Sequence, residues 1–388
     1  VISPLIYIIA GEPSGDLLAA RLMVALKQLT DHSVRFAGIG GEAMRGEGLE
    51  SLFPQADLAV MGFAEVVPRI PKILARLRQT LADIAAKQPC LIITVDSWGF
   101  TGRVAKALKK SGSAIPRLHY VAPMVWAWKE KRARTLAERV DRLLCLLPNE
   151  PAYFARYGLP AVHVGHSVLE RLGESRDGAD FRRRHAIPED APVLCMLPGS
   201  RHSETSRLLP VFAETAELMA ERFPGLHLVV PSVETVSASV QRAVAGWRVP
   251  AVVVGNREKW DAFATSDAAL AASGTVALEL AVSAVPMVIA YRVAPLTAML
   301  VRRLLTIKYA CLINLLVDRP VVPELLQEKC TPGALTEALI PLMTDGAARR
   351  QQLAGSAEAL AILGVEGEKP SWRAAREALS MISADPVR

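Results

Sequence analysis

The chain has 388 residues, 51% hydrophobic and 22% charged, so it can bury full cores in about two domains and is not a disordered segment. Its longest uncharged run, Tyr157–Leu169, has 13 residues and falls short of the roughly 18–20 that a spanning helix needs. The net charge of +6 fits an anionic ligand or an anionic membrane surface without requiring nucleic acid, and five scattered Cys with no CxxC argue against a disulfide framework or a thiolate zinc site.

In chain order, Val1–Ala10 is apolar, lacks a basic leader and runs directly into Gly11-Glu12-Pro13-Ser14-Gly15-Asp16. It is expected to be a first strand, not a signal peptide. A helix is expected over Leu17–Leu29, then strands at Val34–Ala37, Leu91–Val95, Leu118–Val121, Leu143–Leu147 and Val162–Val164. Between the second and third strands, Val66, Val67, Ile70, Ile73, Leu74 and Leu77 follow helical spacing, and Pro68 and Pro71 place the helix start near residue 70. A second set of strands is expected at Val193–Leu197, Leu226–Val230, Ala251–Val254, Ala268–Ala271 and Met287–Ala290, with a helix at Arg207–Arg222. Val/Ile/Leu runs without alternation describe strands buried on both faces, and their alternation with helices implies right-handed crossovers. Eleven such runs in two sets predict an α/β chain with two Rossmann-like, doubly wound parallel-sheet domains and a cleft between them. The polar, broken stretch Leu169–Ala191 holds the join, which gives domains of 1–170 and 171–365. From Ser371 on, Trp372, Ala375, Leu379 and Ile382 recur at helical spacing, forming a helix that can pack back onto the first domain.

Ligands of open parallel sheets sit beyond the carboxyl ends of the strands, so the residues there carry the chemistry. Val193–Leu197 ends in Pro198-Gly199-Ser200-Arg201, a glycine loop entering a helix beside a cation suited to phosphate. Ala268–Ala272 ends in Ser273-Gly274-Thr275, and Glu279 lies one helical turn further on, where a carboxylate can accept both hydroxyls of a ribose. The alternatives are a simple turn with a surface Arg, and a capped helix with a solvated Glu. Two such loops in one domain point to a nucleoside diphosphate, and the absence of a Walker loop or a GxGxxG takes support from ATPase and dehydrogenase readings. In the first domain, Leu91–Val95 ends in Asp96, which is either a partly desolvated base or a helix cap. Glu12 and Asp16 face the same edge, Asp16 as a cap more than a catalyst. Gly38-Ile39-Gly40-Gly41 either admits a ligand or is a tight turn. His119 is expected in the core, and His166 near the join can face the cleft. Neither an HExxH nor an Asp-x-Asp suggests a metal. The apolar stripe of 66–77, interleaved with Arg69, Lys72, Arg76 and Arg78, is suited to a lipid headgroup region or equally to an ordinary core contact. Leu296–Tyr309 is a weaker stretch of the same kind.

Several segments resemble the lipid-A-disaccharide synthase family, glycosyltransferases of the two-Rossmann-domain (GT-B) type. They are Ala10–Asp16, Met61–Val66, His119–Trp128 with its Trp126-Ala127-Trp128, Leu197–Arg201, Ser273–Glu279, Tyr291-Arg292, Asn314–Leu316 and Pro323–Gln327, in the family's order from residue 10 to about 330. The resemblance implies an inverting, metal-independent transfer without cofactor. UDP-2,3-diacylglucosamine and 2,3-diacylglucosamine 1-phosphate (lipid X) would condense to a β-1,6 disaccharide 1-phosphate and UDP. It implies Asp96 as candidate base with Glu12 as the alternative, Gly199, Ser200, Arg201, Ser273, Gly274, Thr275, Glu279 and Asn314 around UDP, and Val66, Val67, Ile70, Ile73 and Leu74 at acyl chains or the membrane. It further implies a cytoplasmic protein peripheral to the inner membrane of a Gram-negative bacterium, with homodimers in some members and no nucleic-acid partner. One departure lies near the chemistry: many members carry a second Asp where this chain has Gly99. A transferase or epimerase acting on soluble UDP-N-acetylglucosamine, and a catalytically silent nucleotide-sugar or lipid-binding homologue, stand as alternatives.

Overall fold

The computed structural model describes residues 3–58, 63–123, 131–173, 176–272, 274–294 and 308–383. The apolar runs form strands because their residues are buried on both faces, as in β3 (Leu91–Val95) and β7 (Val193–Leu197), where every side chain is buried. The first sheet holds β1 (Leu5–Ala10), β2 (Arg35–Ile39), β3, β4 (Arg117–Tyr120), β5 (Arg142–Cys145) and β6 (Ala161–His163), all parallel in the order β2-β1-β3-β4-β5-β6. The second holds β7, β8 (His227–Pro231), β9 (Ala251–Val254), β10 (Ala268–Ala272), β11 (Met287–Tyr291) and β12 (Glu324–Leu326), all parallel in the order β12-β11-β10-β7-β8-β9. The two sheets are the α/β doubly wound architecture that the sequence predicts. β12 is absent from the eleven expected runs because this half-buried edge strand is three residues long and opens on a charge.

The described helices are α1 (Pro13–Leu29), α2 (Glu42–Gly46), α3 (Phe63–Lys87), α4 (Trp98–Lys110), α5 (Lys131–Ala137), α6 (Pro151–Ala155), α7 (Gly178–Arg184), α8 (His202–Arg222), α9 (Glu234–Val244), α10 (Lys259–Ala264), α11 (Val276–Val282), α12 (Leu312–Val317), α13 (Pro332–Leu339), α14 (Ala347–Ile362) and α15 (Pro370–Ser383). The chain forms two compact units, Val1–Glu170 with Glu366–Arg388, and Arg171–Val365. In the first, successive β1 side chains serve opposite faces of the sheet. Ile6, Ile8 and Ala10 join a core with α1 residues such as Leu22 and with Ala374, Ala375 and Ala378 of α15. Tyr7 and Ile9 join a second core with Ile84, Phe100 and Val104 from α3 and α4.

The start of α3 differs from expectation. The helix begins at Phe63, and Pro68 and Pro71 lie inside it. Each proline removes an intrahelical donor, so the carbonyls of 64 and 67 lose their usual partners. Further along, Ile73, Leu77, Leu81 and Ile84 pack onto the second core and anchor the helix there.

Each sheet has one place where strand order reverses: between β1 and β3 in the first, and between β7 and β10 in the second. Loops leaving neighbouring strands at such a switch point turn to opposite sides and open a crevice at the carboxyl edge. These are the four loops that carry Glu12, Asp96, Gly199–Arg201 and Gly274–Thr275.

Candidate active site

At the first crevice, β3 ends in two consecutive non-glycine residues in the left-handed region, Asp96 at φ 48° and Ser97 at φ 46°. Each such conformation costs on the order of 1–3 kcal/mol and persists only where its surroundings hold it. Here the Asp96 N–H donates to the Tyr120 carbonyl at 2.9 Å, and Thr101 Oγ1 donates to the carbonyls of Asp96 at 2.8 Å and Ser97 at 3.1 Å. Gly11 completes the fit, since a Cβ there would lie 2.8 Å from Ser97 Oγ. Burial pushes the Asp96 carboxyl above the usual range, and a hydrogen bond from the Ser97 backbone only partly opposes it. No cation pairs with Asp96 among the described residues. Ser97, not Asp96, caps α4, and Ser97 Oγ is buried without a hydrogen-bond partner. Gly99 is exposed, and a Cβ there would meet nothing within 4 Å.

Glu12 occupies the N-cap of α1 without a side-chain cap bond, and its carbonyl accepts from Gln55 Nε2 at 3.1 Å. Asp16 is 5% exposed and caps the neighbouring helix α2, not its own. Its carboxylate accepts from the N–H groups of Gly41 at 2.7 Å, Ala43 at 2.9 Å and Met44 at 3.1 Å. The close approach at Gly38 is to the chain itself: with φ at 135°, a Cβ would lie 1.9 Å from the Ile8 carbonyl oxygen. His119 is a satisfied core residue, sharing a 2.8 Å bond with Thr94 and pushed down to about 3 by burial. Desolvation and then the Arg21 charge hold His166 down to about 4, and its Nδ1 accepts from the Val168 N–H at 3.2 Å.

At the second crevice the chemistry is cationic. Arg201 is the N-cap of α8, with its side chain 60% exposed. Beneath it lies a residue the sequence reading missed, Glu204, 8% exposed. Glu204 accepts from the Ser200 N–H at 3.1 Å, the Arg201 guanidinium at 3.0 Å and the Tyr291 hydroxyl at 3.2 Å. Gly199 sits at φ 108°, and a Cβ on it would lie 2.7 Å from Glu204 Oε2, so this loop needs glycine twice over. The signal was readable: a Glu three residues past an N-cap is the capping-box position.

On the other side of the switch point Ser273 lies outside the described residues. Gly274 and Thr275 are exposed, and Thr275 makes no side-chain cap bond to α11. Glu279 is not a lone solvated carboxylate. Lys259 Nζ, 20 residues away, donates to its two oxygens at 2.8 and 2.9 Å. Asn314 is 1% exposed and fully engaged. Its Oδ1 accepts from the N–H groups of Val321 and Val322 at 2.9 and 2.8 Å, and its Nδ2 donates to the Val322 carbonyl and Glu324 Oε1, each at 2.8 Å. Those four bonds use the whole amide, so Asn314 orders the backbone around β12.

The amphipathic helix divides its stripe. Ile73 and Leu77 face the core, while Ile70 and Leu74 are each 43% exposed. Lys72 and Arg76 both reach Asp57, Arg76 through two nitrogens at 2.7 and 2.9 Å. The side chains of Val66 and Val67 lie outside the described residues, as does 295–307 of the second stretch. No described helix is long and apolar enough to cross a membrane, and no described cluster of three or more His, Cys, Asp or Glu could hold a metal ion.

Comparisons with known proteins add to this geometry. A family model described as lipid-A-disaccharide synthetase matches residues 6–373. A lipid-A-disaccharide synthase from Paramagnetospirillum magneticum is 56% identical over 380 residues, covering 97% of each chain. One from Rhodospirillum centenum is 49% identical, covering 98% of this chain and 95% of its own. Among solved structures, S. aureus MnaA with UDP aligns over 98% of this chain and 96% of its own with a TM-score of 0.65, at 13% identity, a likeness of fold alone.

Proposed function

The chain belongs to the lipid-A-disaccharide synthase family, and from that premise we propose how its two crevices divide the transfer. The enzyme condenses UDP-2,3-diacylglucosamine with 2,3-diacylglucosamine 1-phosphate, forming the β-1,6 disaccharide 1-phosphate and UDP. Unit 1 handles the acceptor and unit 2 holds the nucleotide. Asp96 takes the proton of the acceptor 6-hydroxyl as that oxygen attacks the anomeric carbon. The bond from that carbon to the diphosphate oxygen breaks with inversion, and UDP leaves as the anion. The observation that carries this role is the buried, unpaired carboxylate at a switch point, with its pKa raised toward the working range of a base. Glu12, on the facing loop, is the alternative base.

Arg201 and the loop amides of 199–201 stabilise the negative charge that builds on the leaving diphosphate. Glu204 holds Arg201 and Ser200 for that task. The carboxylate of Glu279 accepts the ribose hydroxyls, and Gly274 and Thr275 allow close approach of the nucleotide. Asn314 acts by fixing the backbone near β12 instead of touching ligand. Mass spectrometry after incubation with both acylated substrates tests the assignment: a disaccharide 1-phosphate with one UDP released per turnover is expected, and UDP binding without product would refute it.

Membrane contact follows from the substrates, whose acyl chains reside in a bilayer. Exposed Ile70 and Leu74 beside basic residues support a peripheral attachment at the inner membrane of a Gram-negative cell, on its cytoplasmic side. Ile70→Ser with Leu74→Ser should cut co-sedimentation with anionic vesicles by about tenfold, since each side chain withdrawn from lipid loses roughly 1 kcal/mol or more. Undiminished co-sedimentation would refute the attachment. A homodimer, known for some members by resemblance, would appear as doubled mass in sedimentation.

A further inference from the structure

Lys259 is the first residue of α10, and Glu279 lies in α11. Their side chains are 19% and 23% exposed, so this is a largely sheltered pair and not a surface contact. Lys259 Nζ also lies 5.3 Å from the Trp260 ring centroid, a ring that carries Arg176 at 4.9 Å and Arg171 at 5.6 Å. The ammonium is therefore held over the ring as well as by the carboxylate.

The stoichiometry of the pair is informative. An ionised carboxylate has about four acceptor directions, two on each oxygen. Lys259 meets one oxygen at 2.8 Å and the other at 2.9 Å, so it occupies one direction on each. One direction remains on each oxygen, with the carboxylate plane fixed. Two neighbouring hydroxyl donors, such as the 2′- and 3′-hydroxyls of a ribose, fill that pair.

We propose that Lys259 is a positioning and specificity residue, one that presents Glu279 as a two-acceptor clamp and thereby selects a ribonucleoside diphosphate over its 2′-deoxy counterpart. The proposal rests on the reading of Glu279 as the ribose contact. Without Lys259 the carboxylate turns freely, binds donors of the ligand or water alike, and gains less from the second hydroxyl.

The test is calorimetric affinity of the full chain for UDP and for 2′-deoxy-UDP. A hydrogen bond to a charged group is worth about tenfold to a hundredfold in affinity, which is the preference for UDP expected of the unaltered chain. Lys259→Met should reduce that preference to about threefold or less, chiefly by weakening UDP, and Lys259→Arg should restore most of it. Should the Met variant fail to fold, as judged by thermal unfolding without ligand, Lys259→Gln takes its place. Glu279→Gln should also lose the preference. A Lys259→Met chain that keeps the full preference while Glu279→Gln loses it would make Lys259 a mere strut and leave the ribose reading intact. Full preference in both variants, or none in the unaltered chain, would overturn the ribose reading together with the proposal.

Discussion

Between β1 and β3 the protein sets a carboxylate with no described cation beside it; between β7 and β10 it sets two cations, each tied to a sheltered carboxylate. The topological place is the same in both sheets, and the electrostatics are opposite. A base gains from desolvation, because burial raises its proton affinity and nothing nearby should cancel that. An anion site has a different need. Its cations must be aimed before the ligand arrives, and Glu204 and Glu279 do the aiming. The cost is a carboxylate close to a bound diphosphate, and the burial of Glu204 beneath the loop keeps it on the protein side of Arg201.

The contrast is most severely tested at Asp96. Asp96→Asn should lower kcat by about 10²–10⁴ with UDP affinity unchanged. Near-normal turnover would break the division of labour. The acid limb of kcat/KM should lie above the pH at which an ordinary Asp, near ~3.9, would place it, because only the ionised form accepts a proton. The stability sign is the reverse of a salt-bridged Asp. A folded pKa above the unfolded one gives stability at low pH that is lost as pH rises through the folded value. Asp96→Asn should therefore raise Tm at pH 7.

Arg201→Ala comes next, weakening UDP binding by about 1.5–3 kcal/mol without changing the acid limb. Calorimetry showing equal affinity would leave the second crevice without its anion contact. Glu204→Gln should have a smaller effect, about 1 kcal/mol in UDP affinity, because the guanidinium stays present but less well aimed. An effect as large as that of Arg201→Ala would instead assign Glu204 a direct part. Smallest of all is Gly99→Asp. The position is open, so stability should stay within ~0.5 kcal/mol and kcat within about twofold. A large gain in rate would show that the first crevice works better with a second carboxylate and would redraw its half of the contrast.

The loops of both crevices could be read from the chain because strands buried on both faces are unbroken apolar runs, and their ends mark the carboxyl edge. Asp96, Arg201 and Glu279 were found in that way. Lys259 could not be, since its partner is 20 residues away across a strand and no local pattern links them. Asn314 illustrates a different limit: sequence marks the residue but not that all four of its bonds go to the chain itself. Proline misled at α3, where tertiary packing of Ile73, Leu77 and Ile84 outweighs the local preference for a helix start near residue 70.

The place of α15 bears on how the molecule is made. Ala374, Ala375 and Ala378 finish a core that begins with β1, yet they are synthesised only after all of Arg171–Val365. As the chain leaves the ribosome, the first sheet must wait with one apolar face uncovered while an entire second unit is produced and folds. Nascent β1 and α1 are therefore the surface that a chaperone would shield longest. A ribosome stalled before residue 370 would release a chain whose nucleotide-holding half is complete and whose base-carrying half is still open to aggregation.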